Sequence, residues 1–565
     1  MNGLAEVAGS GSSWDEEVDF VVIGSGAGAA GAGLEMRRRG KTVLVLEKEA
    51  RLGGSTAMSG GVLWIPNNPL MRRQGVPDSH YEARAYLDAL VGDVGPASSP
   101  ARRQTFLEQG PRFIEFMERC GVRFLRCEGW SDYHDELPGG KARGRSLACP
   151  LIDRRELGDL ADKLRRHPRA PPMASHEIRS LMLMTRTIGG FFMAARMALR
   201  LARKANFKED LLGMGAALQA RFLKAALDSG VEIRTAMPVS ALIESGGRVT
   251  GVEVPGEGGS RRIRARNGVL INAGGFAHNQ RMRDAYGPPG LCEAWSASNP
   301  GDTGEIIEAA MGLGADIALM DEAWWIPSTL PPGGQPAHMV GDISKPHIIV
   351  VDSKARRIFN ESASYMENGK RMIERNRTTP AIPAWTIFDE HHRSRYVYAG
   401  ARPGQTPQAW IDNGFLKKAD TLEELAEMCG LEPDALRATV TRFNGFAATG
   451  VDEDFQRGAR AYDRCHGDPT VRPNPNLGAI CKPPFYATQI YPGDAGTSGG
   501  LMTDEYARVL KADGLPIPGL YATGNSTASV FGRRYGGAGA SIGASCVFAW
   551  QAAKHAADEP VVCEP

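Results

Sequence analysis

The chain lacks any apolar run near the roughly 18 residues needed to span a bilayer, so no membrane-spanning helix is expected. It also lacks Cys-x-x-Cys pairs. Its nine cysteines are scattered, and the odd count reads as reduced thiols rather than a disulfide framework. No His/Cys cluster has metal-ligand spacing, so no metal is expected. Charge of one sign is missing too: a formal net charge of +1 gives no general attraction to nucleic acid or to acidic partners. The start, Met1 to Glu17, has no basic segment followed by an apolar one. Being polar and rich in glycine and serine, it reads as a disordered tail, 1–17, rather than a secretory signal. The expected location is the cytoplasm. Against these absences, 565 residues with 42% hydrophobic content allow two or more domains with sizeable cores.

What is present begins with a glycine turn. Asp19-Phe-Val-Val-Ile-Gly24-Ser-Gly26-Ala-Gly-Ala29 reads as a strand, a tight turn and the start of a helix ending near Arg39. Gly24 permits the turn, Gly26 lets backbone approach a pyrophosphate, and Ala29 keeps the helix close to the strand. The helix start offers free N–H groups to phosphate oxygens. Glu47 closes a second strand about 20 residues on, where a carboxylate accepts ribose hydroxyls. Together these predict a dinucleotide site.

The following run selects the dinucleotide. Lys48, Gly54, Ser55, Thr56, Ser59, Gly60 and Gly61 offer backbone N–H groups and hydroxyls to a second length of cofactor. Gly268-Val-Leu-Ile-Asn-Ala273-Gly274-Gly275 and Gly519-Leu-Tyr-Ala-Thr-Gly524-Asn525 are further short strands running into glycine. Gly536-Gly-Ala-Gly539-Ala-Ser541-Ile542-Gly543 opens a last helix, whose N-terminus favours negative charge on a reduced flavin ring. Each alone is an ordinary α/β turn. The four in this order favour FAD. The fold expected is α/β, a Rossmann-like FAD-binding domain (18–297 and 495–565) with an inserted α+β catalytic domain (298–494).

Here the residues carry a resemblance. Gly53-Gly-Ser-Thr-Ala-Met-Ser-Gly-Gly61, Ser131-Asp-Tyr133, Phe359-Asn-Glu-Ser-Ala-Ser-Tyr365, Pro492-Gly-Asp-Ala-Gly-Thr497 and Tyr535-Gly-Gly-Ala-Gly539 are similar to the flavoproteins related to fumarate reductase. Within that group the chain resembles the 3-ketosteroid Δ1-dehydrogenases from Asp19 to His555. The resemblance implies a C1–C2 dehydrogenation of 3-ketosteroids with non-covalent FAD. It implies that Tyr535 and the Gly539 N–H hold the ketone oxygen, that Tyr365 is the base, and that Tyr133 hydrogen-bonds Tyr365. It adds Val239, Ala273 and Ile542 to the cofactor contacts. A tyrosine base needs help, because its free pKa is ~10 and burial alone pushes it higher. A hydrogen bond from Tyr133 is expected to supply that help.

Other readings stay open. Tyr365 reads equally as a buried tyrosine at a domain seam, and Tyr133, in a polar loop, as a surface aromatic. His134 is an alternative proton carrier. Trp324 and Trp325 either line a large flat pocket or belong to the core. The chain departs from the family after Tyr535, where glycine replaces a proline-rich stretch. Arg533-Arg534 just before is also more basic than the family pattern, which suits a substrate carboxylate or a surface salt bridge. The alternatives for function are a fumarate reductase-like flavoprotein and a ketosteroid dehydrogenase acting at C4–C5, whose resembling subfamily carries serine where this chain has Gly537. No second glycine fingerprint suggests a nicotinamide site, so a quinone or similar external acceptor is expected to take the electrons.

A second insertion spans about 155–210. From Lys163 to Lys208 it holds eleven Lys/Arg against a single acid, Glu177. Methionine, leucine and phenylalanine mix there with spaced arginines. Such a stretch can lie on the inner face of an anionic membrane. It reads equally as a helical pair with its arginines in solvent.

Overall fold

The structure is a computed structural model that describes residues 13–166, 171–207 and 209–559. Its larger sheet is built on strands that are apolar on both faces, as strands covered on both sides must be. β1 (Glu16–Ile23) is buried from Val18 onward. It pairs in parallel with β2 (Val43–Leu46), which pairs in parallel with β3 (Glu232–Arg234). On its other side β1 pairs with β4 (Gly259–Ile271), and β4 with β5 (Pro516–Ala522), again in parallel. Parallel neighbours need crossover connections, and helix α1 (Ala27–Arg38) supplies the first. A Cβ at Gly28 would stand 2.8 Å from the Ala549 side chain, so α1 and the last helix, Ala540–Asp558, approach closely. The first and last segments of the chain thus contribute strands to one sheet and pack helix on helix.

A second sheet takes its strands from residues between 323 and 497. Ala337–His338, Ala323–Thr329, Phe485–Thr497, Ala384–Asp389 and Ile348–Val351 lie in that order, all antiparallel. Leu425, Leu436, Val440 and Phe443 from two helices cover one face. This is the expected α+β insertion. Helix Tyr365–Asn376 packs so closely on the strand Ala323–Thr329 that a Cβ at Gly369 would be 2.6 Å from that of Trp325.

Two expectations change. The supposed tail, 1–17, lies outside the described residues up to residue 12. Beyond that, Glu16 and Glu17 pair with Ile263 and Arg264, and Glu16 meets Arg234 at 2.6 Å. The strand therefore recruits the residues before its apolar run through charge pairing. The basic insertion also differs from a helical pair with its arginines in solvent. Strands Ile152–Asp153 and Leu211–Leu212 close it, and helix Ile188–Phe207 turns several cations inward or onto neighbours. Arg200 meets buried Glu177 at 2.7 Å, Arg203 meets Glu209 at 2.8 Å, and Lys204 meets Asp210 at 2.7 Å. Among its outward residues, Ile188, Phe191, Phe192 and Leu199 are apolar and each more exposed than buried, beside exposed Arg196 and Arg203. Among the described residues no helix is long and apolar enough to cross a membrane, and the cysteines are unpaired.

Candidate active site

The carboxyl ends of β1, β4 and β5 open onto a cavity of about 510 Å3, the position where open α/β sheets bind ligands. Local sequence explains its wall. Gly24 takes φ +95°, and a Cβ there would meet the Asn272 carbonyl oxygen at 2.4 Å. α1 opens at Gly26 with no cap from that residue's own side chain, and its start borders the cavity, where a helix N-terminus favours a phosphate. Glu47 is fixed at the rim, because its Oε2 accepts from the Ser25 N–H at 3.0 Å and from the Ser25 hydroxyl at 2.6 Å. Thr56 Oγ1 accepts from the Ala27 N–H at 3.2 Å and ties the second glycine run to the first. Asp302 receives the Ser55 hydroxyl at 2.8 Å, and burial pushes its carboxyl up to about 7, so its negative charge beside a phosphate is blunted. Asn299 Oδ1 is buried with no partner, an acceptor that a cofactor hydroxyl or N–H satisfies. This donor set fits FAD.

Each predicted cofactor residue lines this cavity except Ala29. Ala29 is 1% exposed and packs between α1 and the core. Its small side chain sets the helix position, which the sequence reading named, but it does not face the cofactor.

The other half of the cavity gathers Tyr133, Tyr365, and Tyr535 with Gly539 from three separate segments. The ring centroids of Tyr133 lie 5.2 Å from Tyr365 and 5.3 Å from Tyr535, and those two are 5.6 Å apart. Gly539 caps the last helix at φ +92°, and a Cβ on it would be 2.1 Å from the Val62 carbonyl oxygen. Tyr535 Oη shares a hydrogen bond with Ser541 Oγ at 3.1 Å. Trp324 lies 4.8 Å from Tyr535 and donates through Nε1 to Asn525 at 2.9 Å, which links the tyrosines to the flavin cradle. Trp325 points elsewhere, donating to Glu322 at 3.3 Å.

Buried scaffolding holds this group. The loop around Tyr133 is not a surface loop: Ser131, Asp132, Tyr133 and His134 are all buried. Asp132 accepts from Trp64 Nε1 and from Arg145, each at 2.7 Å, and Arg145 also pairs with Asp78. Tyr86 donates to the Gly536 carbonyl at 2.7 Å and so joins the Tyr133 and Tyr535 segments. His134, the alternative proton carrier, does not line the cavity, and its Nδ1 lies 3.7 Å from Glu136. Arg533 is occupied by Asp321 and Glu322 at 2.7 and 2.8 Å, so it meets a surface salt bridge rather than a substrate.

The electrostatics correct one expectation. Tyr365 is pushed well above the ordinary phenol range, first by burial and then by the Tyr133 and Tyr535 phenols. Tyr133 was expected to pull Tyr365 down. Its proximity instead acts in the raising direction, the opposite sign. Two further cavity residues carry no sequence signal. Tyr462 lies 4.7 Å from Tyr133 and 4.8 Å from His466, ring to ring, and its hydroxyl has no partner. A lone Tyr-x-x-x-His on a short helix is too common to single out. Outside the cavity, His347, Asp389 and His391 form a compact group. His347 is committed there to the Ala479 carbonyl and to the Arg395 guanidinium, whose charge opposes a cation.

A domain model described as FAD binding domain matches residues 19–542. A 3-oxosteroid 1-dehydrogenase of Mycolicibacterium smegmatis is 40% identical over 95% of this chain and 97% of its own length. A 4-oxocyclohexanecarboxylate 2-dehydrogenase of Sinomonas cyclohexanicum is 35% identical over 93% and 90%. The crystal structure of the 3-ketosteroid Δ1-dehydrogenase from Sterolibacterium denitrificans, in complex with 1,4-androstadiene-3,17-dione, superposes with a TM-score of 0.91 at 37% identity, covering 96% of this chain and 99% of that one. The fold and the cradle thus define an FAD-dependent flavoprotein oxidoreductase. Within that class, the chain belongs to the 3-oxosteroid 1-dehydrogenase family.

Proposed function

We propose that this chain introduces the C1–C2 double bond into 3-ketosteroids, with FAD as the oxidant. One arrangement carries the reading: three tyrosines and the Gly539 backbone face one another in the cavity that continues into the flavin cradle. Tyr535 and the Gly539 N–H donate to the C3 ketone oxygen, and a donor of this kind contributes on the order of 3 kcal/mol to an oxyanion transition state. The polarised ketone acidifies C2, and Tyr365 removes that proton. Tyr133 orients Tyr365 by ring contact. When bound, FAD accepts the hydride from C1. Trp324, Ile326 and Val340 give a flat apolar wall suited to fused rings.

Particular residues weigh against the alternatives. A Cβ at Gly537 would stand 2.4 Å from the Trp64 indole, so the serine of C4–C5 enzymes has no room. Arg533, which the sequence offered as a carboxylate clamp, is already paired with Asp321 and Glu322. Turnover of a 4-ene-3-ketosteroid with a soluble quinone, followed by mass and NMR analysis, tests the reading. A product two hydrogens lighter at C1–C2 supports it, and none overturns it; with a 5α-saturated 3-ketosteroid as a second substrate, a C4–C5 product in place of a C1–C2 one also overturns it. Quinone rather than NAD(P) as the sustaining acceptor is part of the same proposal.

We also read helix Ile188–Phe207 as a peripheral contact with an anionic membrane at the cytoplasmic face. Its outward phenylalanines and leucines are flanked by Arg196 and Arg203, and the adjoining helix Ile178–Met182 lines the substrate cavity. Co-sedimentation with anionic vesicles, lost in Phe191→Ser/Phe192→Ser, is expected. Equal sedimentation of both proteins rejects the contact.

A further inference from the structure

Two cations share the cavity wall, and neither has a carboxylate partner. Lys345 is 3% exposed, and its ammonium donates to the His466 carbonyl oxygen. Arg179 lies over the Trp130 ring at 5.1 Å and donates through Nη1 to the Gly129 carbonyl. Its Nε is buried without a partner. Both side chains line the same cavity as the tyrosines. Tyr462 and His466 lead in contact from Tyr133 to Lys345, and Arg179 enters from the Trp130 side, so the cations flank the tyrosine group at its edge away from the flavin cradle.

This is unlike the buried cations nearby. Arg145 is matched by Asp78 and Asp132, Arg357 by Glu361 and Asp452, and Arg283 by Asp494. Arg393 has no acid but is wrapped by three backbone carbonyls and a threonine hydroxyl. Arg102 also rests on carbonyls and does not line this cavity. Lys345 is buried and Arg179 half-buried; burying charge without a counter-charge is costly, and here two like charges act on one another. Lys345 is held down to about 8, by burial first and by Arg179 next. The His466 ring is driven well below its usual value by burial, Arg179 and Lys345. Asp468 and Asp342 act on Lys345 only from beyond ion-pairing distance, so neither cation has an acid in contact.

We propose that Lys345 and Arg179 form a carboxylate-binding subsite for the end of the substrate remote from its ketone, so that the preferred ketosteroid carries an acidic side chain. This rests on the function proposed above. The tyrosines hold the ketone, the apolar wall holds the rings, and the side-chain carboxylate completes the charge of the two cations. Charge-assisted hydrogen bonds to such a group are stronger than neutral ones. A neutral steroid leaves both cations unmatched.

The test compares a 4-ene-3-ketosteroid bearing a side-chain carboxylate with its methyl ester, using the FAD-loaded protein. The acid is expected to exceed the ester in kcat/KM by about tenfold or more, mostly through KM, as a hydrogen bond to a charged group provides. Lys345→Gln and Arg179→Gln are each expected to collapse that ratio towards one. Calorimetric Kd values for acid and ester on the unaltered protein give a second readout should a variant lose its flavin, and the same preference is expected there. Turnover of both compounds without preference, or a ratio unchanged in both variants, overturns the subsite alone. No turnover of either compound by flavin-loaded protein overturns the parent reading instead.

Discussion

The flavin cradle and the substrate half of one cavity are built by different means. The cradle is mostly backbone: Gly24, Gly26, Gly54, Gly60, Gly61 and Gly274 bring N–H groups and space, with Glu47 and Asn299 as polar fixtures. The substrate half is side chain, drawn from Tyr133, Arg179, Trp324, Lys345, Tyr365, Tyr462 and Tyr535 on unrelated segments. Backbone sites depend on local turns, so their requirements are written in short spacings. Side-chain sites depend on which loops meet in the fold, and no short spacing records that. Damage should divide the same way: cradle changes release flavin, and substrate-half changes stop chemistry in a yellow protein.

The largest effect is expected at Tyr365. Tyr365→Phe should keep its flavin spectrum and lose about 10^3-fold in kcat, the scale of a lost general base. Loss of flavin in that variant would break the division. Because burial and its neighbours raise the Tyr365 pKa, the base form grows as pH rises. The log of kcat/KM in the unaltered protein should therefore climb through neutral into alkaline pH with a slope near one, until Tyr365 titrates. A flat profile would assign the proton to another group.

Next comes Tyr535→Phe, expected to cost about 10^2-fold in kcat through one lost oxyanion donor. Stopped-flow flavin reduction reads this step directly, and an unchanged rate would remove Tyr535 from the oxyanion site. On the cradle side, Gly24→Ala places a Cβ against the Asn272 carbonyl at a positive φ. Strain of about 1–3 kcal/mol should appear as flavin released on gel filtration. The smallest effect is expected for Glu47→Gln, about tenfold in flavin Kd by fluorescence titration, since one charged hydrogen-bond acceptor becomes neutral. Full flavin affinity in both cradle variants would show that the cavity's glycine half does not hold the cofactor.

Legibility followed the same line. The strand, turn, helix and acid between Asp19 and Glu47 were readable because each has a local cause, and the structure differs mainly in turning Ala29 away from the cofactor. The tyrosines were reachable only through family resemblance. Spacing alone left Tyr133 on the surface, whereas Trp64, Arg145 and Tyr86 bury its loop. Arg533 looked suited to an anion because it stands beside Arg534 with no acid near in sequence. Its partners, Asp321 and Glu322, arrive from the inserted domain. Lys345 and Arg179 gave no signal, since two cations far apart in sequence become notable only when the fold leaves both without an acid.

The central claim is that Tyr365 takes the C2 proton of a 3-ketosteroid poised beside the flavin. It is tested most directly by mixing the oxidised protein anaerobically with a 4-ene-3-ketosteroid and following the oxidised-flavin absorption band. The account predicts rapid bleaching with formation of the C1–C2 double bond, and in Tyr365→Phe a bound steroid with the band intact. No bleaching by any ketosteroid, with chemically reduced flavin reoxidised by fumarate, would contradict it.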